Sequence, residues 1–259
     1  MALTGEQRER YARNIELKEI GPEGQEKLLA AKVLVIGAGG LGSPAALYLA
    51  AAGVGTVGIA DPDTVELSNL QRQVLHGTKD LGRPKVASAE DRLLALDPAL
   101  RVRLYPAGVT AENIGEIIAD YDFILDCTDN FPTKYLINDA CVRMGKPFCH
   151  AGILRFGGQL LTYVPGQGPC YRCVFGAPPE PDTAAACRAA GVVGAAAGAV
   201  GCMQAMEAVK YITGAGELLT GRLLMYDGLH QEFQTLRLPV FKKCPVCSAR
   251  ADSAGEPVQ

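Results

Sequence analysis

A glycine-rich segment, Gly37-Ala-Gly-Gly-Leu-Gly42, stands between a short apolar run and a helical pattern. Glycines at 37, 39 and 42 allow a tight turn, approach of the backbone to phosphate, and close packing of helix on strand. The first amides of such a helix bind anions. Asp61 ends the next apolar run, nineteen residues after Gly42, where an acid can hydrogen-bond ribose hydroxyls. The pattern predicts a nucleotide site, for ATP or for NAD.

Cationic side chains follow this acid. Arg72 lies in the segment SNLQRQ, and Lys85 ends GRPK at the start of a predicted helix. Nucleotidyl transfer builds charge on the α-phosphate and on departing pyrophosphate, and Arg or Lys must neutralise it. Binding of the NAD pyrophosphate needs no such set of cationic side chains. Arg72 and Lys85 therefore favour nucleotidyl transfer, with Asn69 and Gln71 as polar companions, although a single loop Arg or Lys is more often merely solvated.

Two aspartates and an asparagine occur in the segment DCTDN over 126–130, at the carboxyl end of a predicted strand. That end of an open α/β sheet faces the ligand crevice. Asp129 is a candidate ligand for a Mg²⁺ that bridges ATP phosphates, and we place Asn130 in the same nucleotide site. The alternative is that Asp129 caps the next helix, a role compatible with the first. Asp126 is interpreted as structural.

Nine cysteines occur in the chain, and four of them form two CxxC pairs. The pairs are Cys170 with Cys173 and Cys244 with Cys247. Four thiolates make a closed tetrahedral zinc site with no open position for catalysis, so the metal would be structural. The alternatives are unrelated pairs or a dithiol redox couple, but neither pair lies at a thioredoxin-like strand-to-helix junction.

The remaining cysteines and the three histidines carry weaker signals. Cys187 lies in an Ala/Pro-rich loop beside Arg188, which favours its thiolate, and we regard it as reactive. The other four cysteines are expected to be buried small hydrophobes. The histidines have no metal-ligand spacing and are interpreted as structural; they are His76, His150 and His230.

Alternating strands and helices must position these groups. The patterns predict strands over 32–37, 56–60, 102–105, 123–126 and 147–150, and helices over 4–19, 40–52, 84–96, 111–119 and 131–144. Such alternation favours a Rossmann-like, mostly parallel sheet with helices on both faces. Beyond residue 150 we expect a strand over 157–164, a helix over 194–212, and two antiparallel strands over 223–226 and 232–238.

These elements are interpreted as one domain over 1–247, with a nucleotide-binding part over 1–150 and a second part over 151–247 that contains the zinc ligands. The segment 248–259 has the composition of a disordered tail.

Composition sets the remaining limits. The 259 residues are 48% hydrophobic and 20% charged with a net charge of −3, which excludes disorder throughout and gives no basic field for nucleic acid or an anionic membrane. The polar N-terminus resembles no signal peptide, and no uninterrupted run of eighteen apolar residues occurs. We therefore expect a cytoplasmic protein.

Taken in order, GAGGLG, SNLQRQ, GRPK, DCTDN, CYRC, MQAMEAVK and CPVC resemble the molybdopterin-synthase and thiazole sulfur-carrier adenylyltransferases, relatives of the ubiquitin-activating enzymes. The resemblance runs from about residue 11 to 247 and implies that the part over 151–247 binds the carrier as well as zinc. It implies roles for single positions: Gly40 lines the nucleotide, Asp61 takes the ribose, and Asn69, Arg72 and Lys85 contact phosphates, with Asp129 serving magnesium and the four CxxC cysteines zinc. Arg13 would reach the ATP site of a partner subunit, which implies a homodimer, and Cys187 would hold the carrier covalently, as in some members.

The implied reaction activates a ubiquitin-like sulfur carrier that ends in Gly-Gly. Its carboxylate, ionised at neutral pH because its pKa is about 3.5, attacks the α-phosphate of ATP without a general base. Some relatives carry a further sulfurtransferase domain; here a separate sulfur donor protein is expected. The pathway stays open among molybdopterin, thiamin and tRNA thiolation. The rival functions are a hydride-transferring dehydrogenase, which leaves Arg72 and Lys85 unexplained, and a carrier-binding pseudo-enzyme, which would have lost them.

Overall fold

The computed structural model describes residues 2–180, 182, 190–239 and 244–248. Its strands are β1 (Lys32–Ile36), β2 (Thr56–Ala60), β3 (Arg101–Tyr105), β4 (Phe123–Asp126), β5 (Phe148–Leu154), β6 (Gly157–Tyr163), β7 (Arg222–Asp227) and β8 (Glu232–Arg237). Its α-helices are α1 (Gly5–Arg10), α2 (Ala12–Ile15), α3 (Gly21–Ala30), α4 (Gly42–Ala51), α5 (Lys85–Leu96), α6 (Ile114–Ala119), α7 (Phe131–Met144), α8 (Tyr171–Phe175) and α9 (Gly194–Thr213).

The strands form one sheet in the order β3-β2-β1-β4-β5-β6-β7-β8. Pairing is parallel from β3 to β5 and antiparallel from β5 to β8. The predicted α/β class with an antiparallel extension is therefore confirmed. The chain leaves β1 on one side towards β2 and later returns on the other side as β4, so the carboxyl ends of β1 and β4 flank a topological switch point, where ligands bind in such sheets.

Side chains that alternate along the central strands pack into two separate hydrophobic cores. Val33 and Val35 belong to the cluster packed under α4, α5 and α9, while Leu34 and Ile36 belong to the cluster under α6 and α7. The period of two follows from the pleat, and continuous burial along β1 follows from helices on both faces. These two cores hold the carboxyl ends of β1, β2 and β4 in fixed register.

Two elements differ from the prediction in length. The helix predicted over 4–19 begins with the expected Thr4 capping box but is interrupted at Tyr11, whose hydroxyl is drawn inward to donate to Asp97 Oδ2 at 2.7 Å. Strand β5 runs past residue 150 to Leu154, because its last residues pair with β6. Both predicted parts of the domain thus contribute to the same sheet.

No helix in the described part of the chain is long and apolar enough to cross a bilayer. Of the tail predicted over 248–259, only Ser248 lies among the described residues; its hydroxyl accepts the Cys244 N–H at 2.7 Å.

Candidate nucleotide site and cysteine cluster

The glycine segment forms a tight turn between β1 and α4. Gly37 has φ +99°, and a Cβ on it would stand 2.7 Å from the Cys127 carbonyl oxygen. A Cβ on Gly42 would overlap the Gly37 carbonyl. The Ser43 N–H donates to the Gly39 carbonyl at 2.9 Å, and the amides before it have no carbonyl one turn earlier. The turn therefore presents amides and the positive end of α4 to an anion.

Asp61 lies at the carboxyl end of β2, beside this turn. Its Oδ2 accepts the Ala38 N–H at 2.7 Å, and its Oδ1 accepts the Asp63 N–H at 2.9 Å. Each carboxylate oxygen keeps a lone pair that can accept a ribose hydroxyl. Burial raises the pKa of Asp61, against the opposing charge of Lys85 and the two amides.

Lys85 begins α5 and is 5% exposed. Its ammonium stands 2.8 Å from Asp63 Oδ2 and 3.8 Å from Asp61 Oδ1. The cation is thus held between two carboxylates beside the glycine turn, unlike an ordinary solvated lysine. A buried cation paired in this way acts on charge that develops nearby more strongly than a solvated one.

Arg72 lies over the turn itself. Its Nη1 donates to the Ser68 carbonyl at 3.0 Å, and its Cγ would be 3.4 Å from a Cβ on Gly40. The two amide neighbours have other contacts: Asn69 Oδ1 accepts the Glu66 N–H at 3.1 Å, and Gln71 Nε2 donates to the Val192 carbonyl at 3.5 Å. Gly40 therefore faces Arg72 directly, while Asn69 and Gln71 shape the loop that carries it.

Sequence reasoning missed two side chains at the turn. Gln73 is buried with its Nε2 3.7 Å from a Cβ on Gly39, and its Oε1 has no partner among the described residues. His76 bridges Ser88 Oγ at 2.9 Å and the Ala38 carbonyl at 3.0 Å. Burial lowers the pKa of His76, so its neutral ring donates through Nε2 to the carbonyl and accepts through Nδ1. Neither residue has a spacing signal of its own; the available signal is that Gln73 ends the SNLQRQ segment and His76 follows it by three residues.

The 126–130 segment meets the same turn from the side of β4. Asp129 is exposed, and Asn130 caps α7 by accepting the Thr133 N–H at 2.9 Å. The capping role considered for Asp129 thus belongs to Asn130, whose amide oxygen is already used. Because Cys127 packs against Gly37, the segment that contains the exposed Asp129 runs beside the glycine turn.

Asp126, which we interpreted as structural, is 1% exposed and fully bonded. Its Oδ1 accepts the Thr128 N–H at 3.1 Å and hydroxyl at 2.7 Å, and its Oδ2 accepts from His150 Nδ1 at 2.8 Å. Lys134 Nζ lies 3.3 Å from both oxygens. Burial by itself would raise the pKa of Asp126, but the Lys134 charge and these hydrogen bonds outweigh it and hold the pKa well below its usual range.

The two CxxC pairs come together. All four Sγ atoms lie within 4.8 Å of one another. Three of the separations are 3.8 Å for Cys170 to Cys173, 3.7 Å for Cys170 to Cys244 and 3.4 Å for Cys173 to Cys247. A tetrahedron of Zn–S bonds of about 2.3 Å has edges of about 3.8 Å, so the donor set and its spacing fit zinc.

One predicted residue does not lie at this site within its own chain, and another is not among the described residues. Arg13 is exposed, with 92% of its side chain accessible, and pairs with Glu16 at 2.8 Å. Cys187 lies outside the described residues. Among the other cysteines, Cys127, Cys141 and Cys149 are buried as expected and Cys202 is half-buried.

The fold and this site define a nucleotide-binding α/β protein with cations at its glycine turn and a separate four-thiolate cluster. The chain belongs to the ThiF family, whose model matches residues 11–246. It is 48% identical to a sulfur carrier protein adenylyltransferase of Thermus thermophilus, over 95% of this chain and 93% of that protein. It is also 48% identical to the SAMP-activating enzyme E1 of Haloferax volcanii, over 95% of this chain and 91% of that protein.

A longer relative and a solved structure complete the comparison. The chain is 48% identical to bovine adenylyltransferase and sulfurtransferase MOCS3 over 96% of its own length but 54% of that protein. The crystal structure of E. coli MccB with ATP superposes with a TM-score of 0.81 at 24% identity, covering 95% of this chain and 76% of that one. That likeness confirms the fold.

Proposed function

We propose that the protein is an adenylyltransferase that transfers AMP from ATP to the C-terminal carboxylate of a ubiquitin-like sulfur carrier ending in Gly-Gly. One observation carries the proposal: three residues of the glycine turn are contacted by three different predicted motifs. Gly37 meets the 126–130 segment, Ala38 meets Asp61, and Gly40 meets Arg72. The relatives named as adenylyltransferases, at 48% identity over nearly the whole chain, supply the reaction class.

The site suits this reaction, which requires cations and no general base. The carrier carboxylate, ionised above its pKa of about 3.5, attacks the α-phosphorus; the bond to the bridging oxygen breaks, and pyrophosphate leaves with both electrons. Arg72 and Lys85 neutralise the charge that develops. Asp61 holds the ribose, and Asp129, with its exposed carboxylate, would hold a Mg²⁺ that shields the phosphates.

We assign zinc to the four cysteines as a structural cross-link. Four thiolates complete its coordination, so it supplies no bound water for catalysis. Metal analysis should find about one zinc per chain. Cys173→Ser should lower the melting temperature by several degrees, whereas Cys202→Ser, a half-buried thiol outside the cluster, should not. A zinc content far below one per chain would remove this assignment.

The remaining parts of the proposal concern partners. Asn14 donates to the carbonyl of Ala52 at 3.3 Å, at the carboxyl end of α4 and therefore about 15 Å from the glycine turn. The neighbouring Arg13 cannot span that length, which supports its insertion into the site of a second subunit in a homodimer. A separate sulfur donor would then attack the acyl-adenylate. The described cysteines are free thiols, in keeping with a reducing, cytoplasmic location.

The test is exchange of labelled pyrophosphate into ATP with purified candidate carriers. We expect exchange that requires both Mg²⁺ and the carrier, and no exchange with the same carrier shortened by its last glycine. Binding of NADH without exchange for any Gly-Gly-ended carrier would overturn the proposal in favour of the dehydrogenase.

A further inference from the structure

His150 is contacted from two directions by groups that belong to different sites. On one side, its Nδ1 is 2.8 Å from Asp126 Oδ2. On the other side, the ring of Tyr171 packs on it with a centroid separation of 4.4 Å. Tyr171 lies between Cys170 and Cys173, at the start of α8. The imidazole therefore lies between Tyr171 and Asp126, and α7 forms a second connection, since Asn138 Oδ1 accepts the Tyr171 N–H at 2.9 Å.

Asp126 connects His150 to the 126–130 segment. Its second oxygen accepts both the amide and the hydroxyl of Thr128, and so sets the backbone of the 126–130 segment. That segment carries Asp129 and touches Gly37 at Cys127. The imidazole therefore supports one oxygen of the carboxylate whose other oxygen holds the backbone of the Asp129 loop.

The protonation state of the ring suits a fixed link. Burial and the charge of Lys134 lower the pKa of His150 to about 4, so the ring is neutral near pH 7. Since Asp126 is ionised, Nδ1 bears the hydrogen and donates it. Nε2 then has a buried lone pair without a partner among the described residues. The orientation of the ring rests on Asp126 and on the aromatic faces of Tyr171 and Phe175.

We propose that His150 is a positioning residue that couples the four-cysteine cluster to the Asp129 loop, so that zinc and Mg·ATP each strengthen binding of the other. The inference rests on the proposed function, since it takes Asp129 to face bound Mg·ATP. A histidine that only filled the core would change stability without linking two binding equilibria.

Two substitutions separate the two contacts. His150→Asn keeps a donor at the position of Nδ1 and removes the ring that packs on Tyr171. His150→Phe keeps a ring and removes the donor. His230→Asn is the matched control, because His230 forms a similar pair with Asp227 at 2.8 Å on the exposed turn after β7.

The experiment measures zinc affinity by equilibrium competition with a chelator, with and without Mg·ATP, and measures Mg·ATP affinity directly. Mg·ATP should tighten zinc binding about five-fold or more in the wild type and in His230→Asn, and less than two-fold in His150→Asn. His150→Phe should weaken Mg·ATP binding by about ten-fold with zinc in place, because the 126–130 segment loses its support.

The outcomes are distinct. Equal coupling in the wild type and in His150→Asn overturns the inference and leaves the proposed function intact, whereas a wild type that binds no Mg·ATP overturns both. If His150→Asn fails to fold, the same competition is run on Tyr171→Leu and Tyr171→Phe. Loss of coupling in the first with retention in the second supports the link, and retention in both overturns it.

Discussion

At the scale of single residues, Lys85 shows how burial and function combine. It is a nearly inaccessible cation whose partners are Asp61, the proposed ribose ligand, and Asp63. Its charge is therefore held in place before substrate binds. Such preorganised charge stabilises a transition state without reorganisation during the reaction.

Lys85→Met should lower kcat for carrier adenylation by about 100-fold, because one placed cation is lost from the developing charge. The matched control is Lys79→Met, which removes an exposed lysine from the neighbouring turn and should leave kcat within two-fold. Circular dichroism checks that both variants are folded at the assay temperature. If kcat of Lys85→Met were within three-fold of the wild-type value, Lys85 would serve only to neutralise the charge of Asp61.

His150 predicts a dependence of stability on pH. Its pKa is about 4 in the folded chain and about 6.5 when unfolded, so between these values the unfolded chain binds the extra proton. Stability therefore falls as the pH decreases from 6.5 towards 4. Between pH 6.5 and 4.5, the free energy of unfolding should therefore fall by ~2 kcal/mol more in the wild type than in His150→Asn.

Urea unfolding at the two pH values measures this effect. His230→Asn should behave as the wild type does. The buried His76 has a pKa shifted in the same direction and remains in every variant, so some pH dependence persists. An unchanged pH dependence in His150→Asn would contradict the assignment.

At the scale of elements, α9 packs against the start of α4 through a glycine. A Cβ on Gly201 would overlap the Leu41 carbonyl and stand 2.7 Å from Pro44 Cγ, whereas a Cβ on Gly198, one turn earlier, would meet nothing within 4 Å. The same helix therefore contains one glycine required by packing and one that is not. The close approach keeps α4, and with it the glycine turn, in position.

Gly201→Ala should destabilise the protein by about 2 kcal/mol or more and weaken ATP binding, because the two helices must separate. Gly198→Ala should instead stabilise it by up to about 1 kcal/mol, since alanine is the better helix former. Thermal unfolding measures the stability of the two variants, and ATP titration measures their affinity for ATP. A stabilised Gly201→Ala would mean that α9 is free to move.

The sequence predicts the elements well where the signal is local. The glycine turn, Asp61 and the two CxxC pairs were recognisable because short motifs and strand ends carry them. The extension of β5 to Leu154 was not, because it depends on pairing with β6. Gln73 and His150 were missed for the same reason: their roles come from neighbours brought by the fold, such as Gly39 and Asp126.

At the scale of the whole molecule, the position of Arg13 has a consequence for assembly. It lies exposed near the end of α4 that points away from the nucleotide turn. If it completes the site of a second subunit, each site depends on residues of two chains. Two inactive variants can then restore activity in one mixed dimer.

An equal mixture of Arg13→Ala and Lys85→Met subunits, dissociated and reassociated, should regain about a quarter of wild-type exchange activity, since half of the dimers are mixed and each has one intact site. Each variant treated alone in the same way should remain inactive. A mixture no more active than its parts, although mixed dimers form, would show that Arg13 acts within its own chain.

The cysteine cluster also imposes an order in time. Cys170 contacts Cys244, which lies 74 residues later in the chain. At about 5–20 residues per second, the ribosome adds Cys244 roughly 4–15 s after Cys170. The strands from β1 to β5 have all emerged by then. We therefore expect the nascent nucleotide-binding half to form first, and the metal to be captured as one of the last events of synthesis.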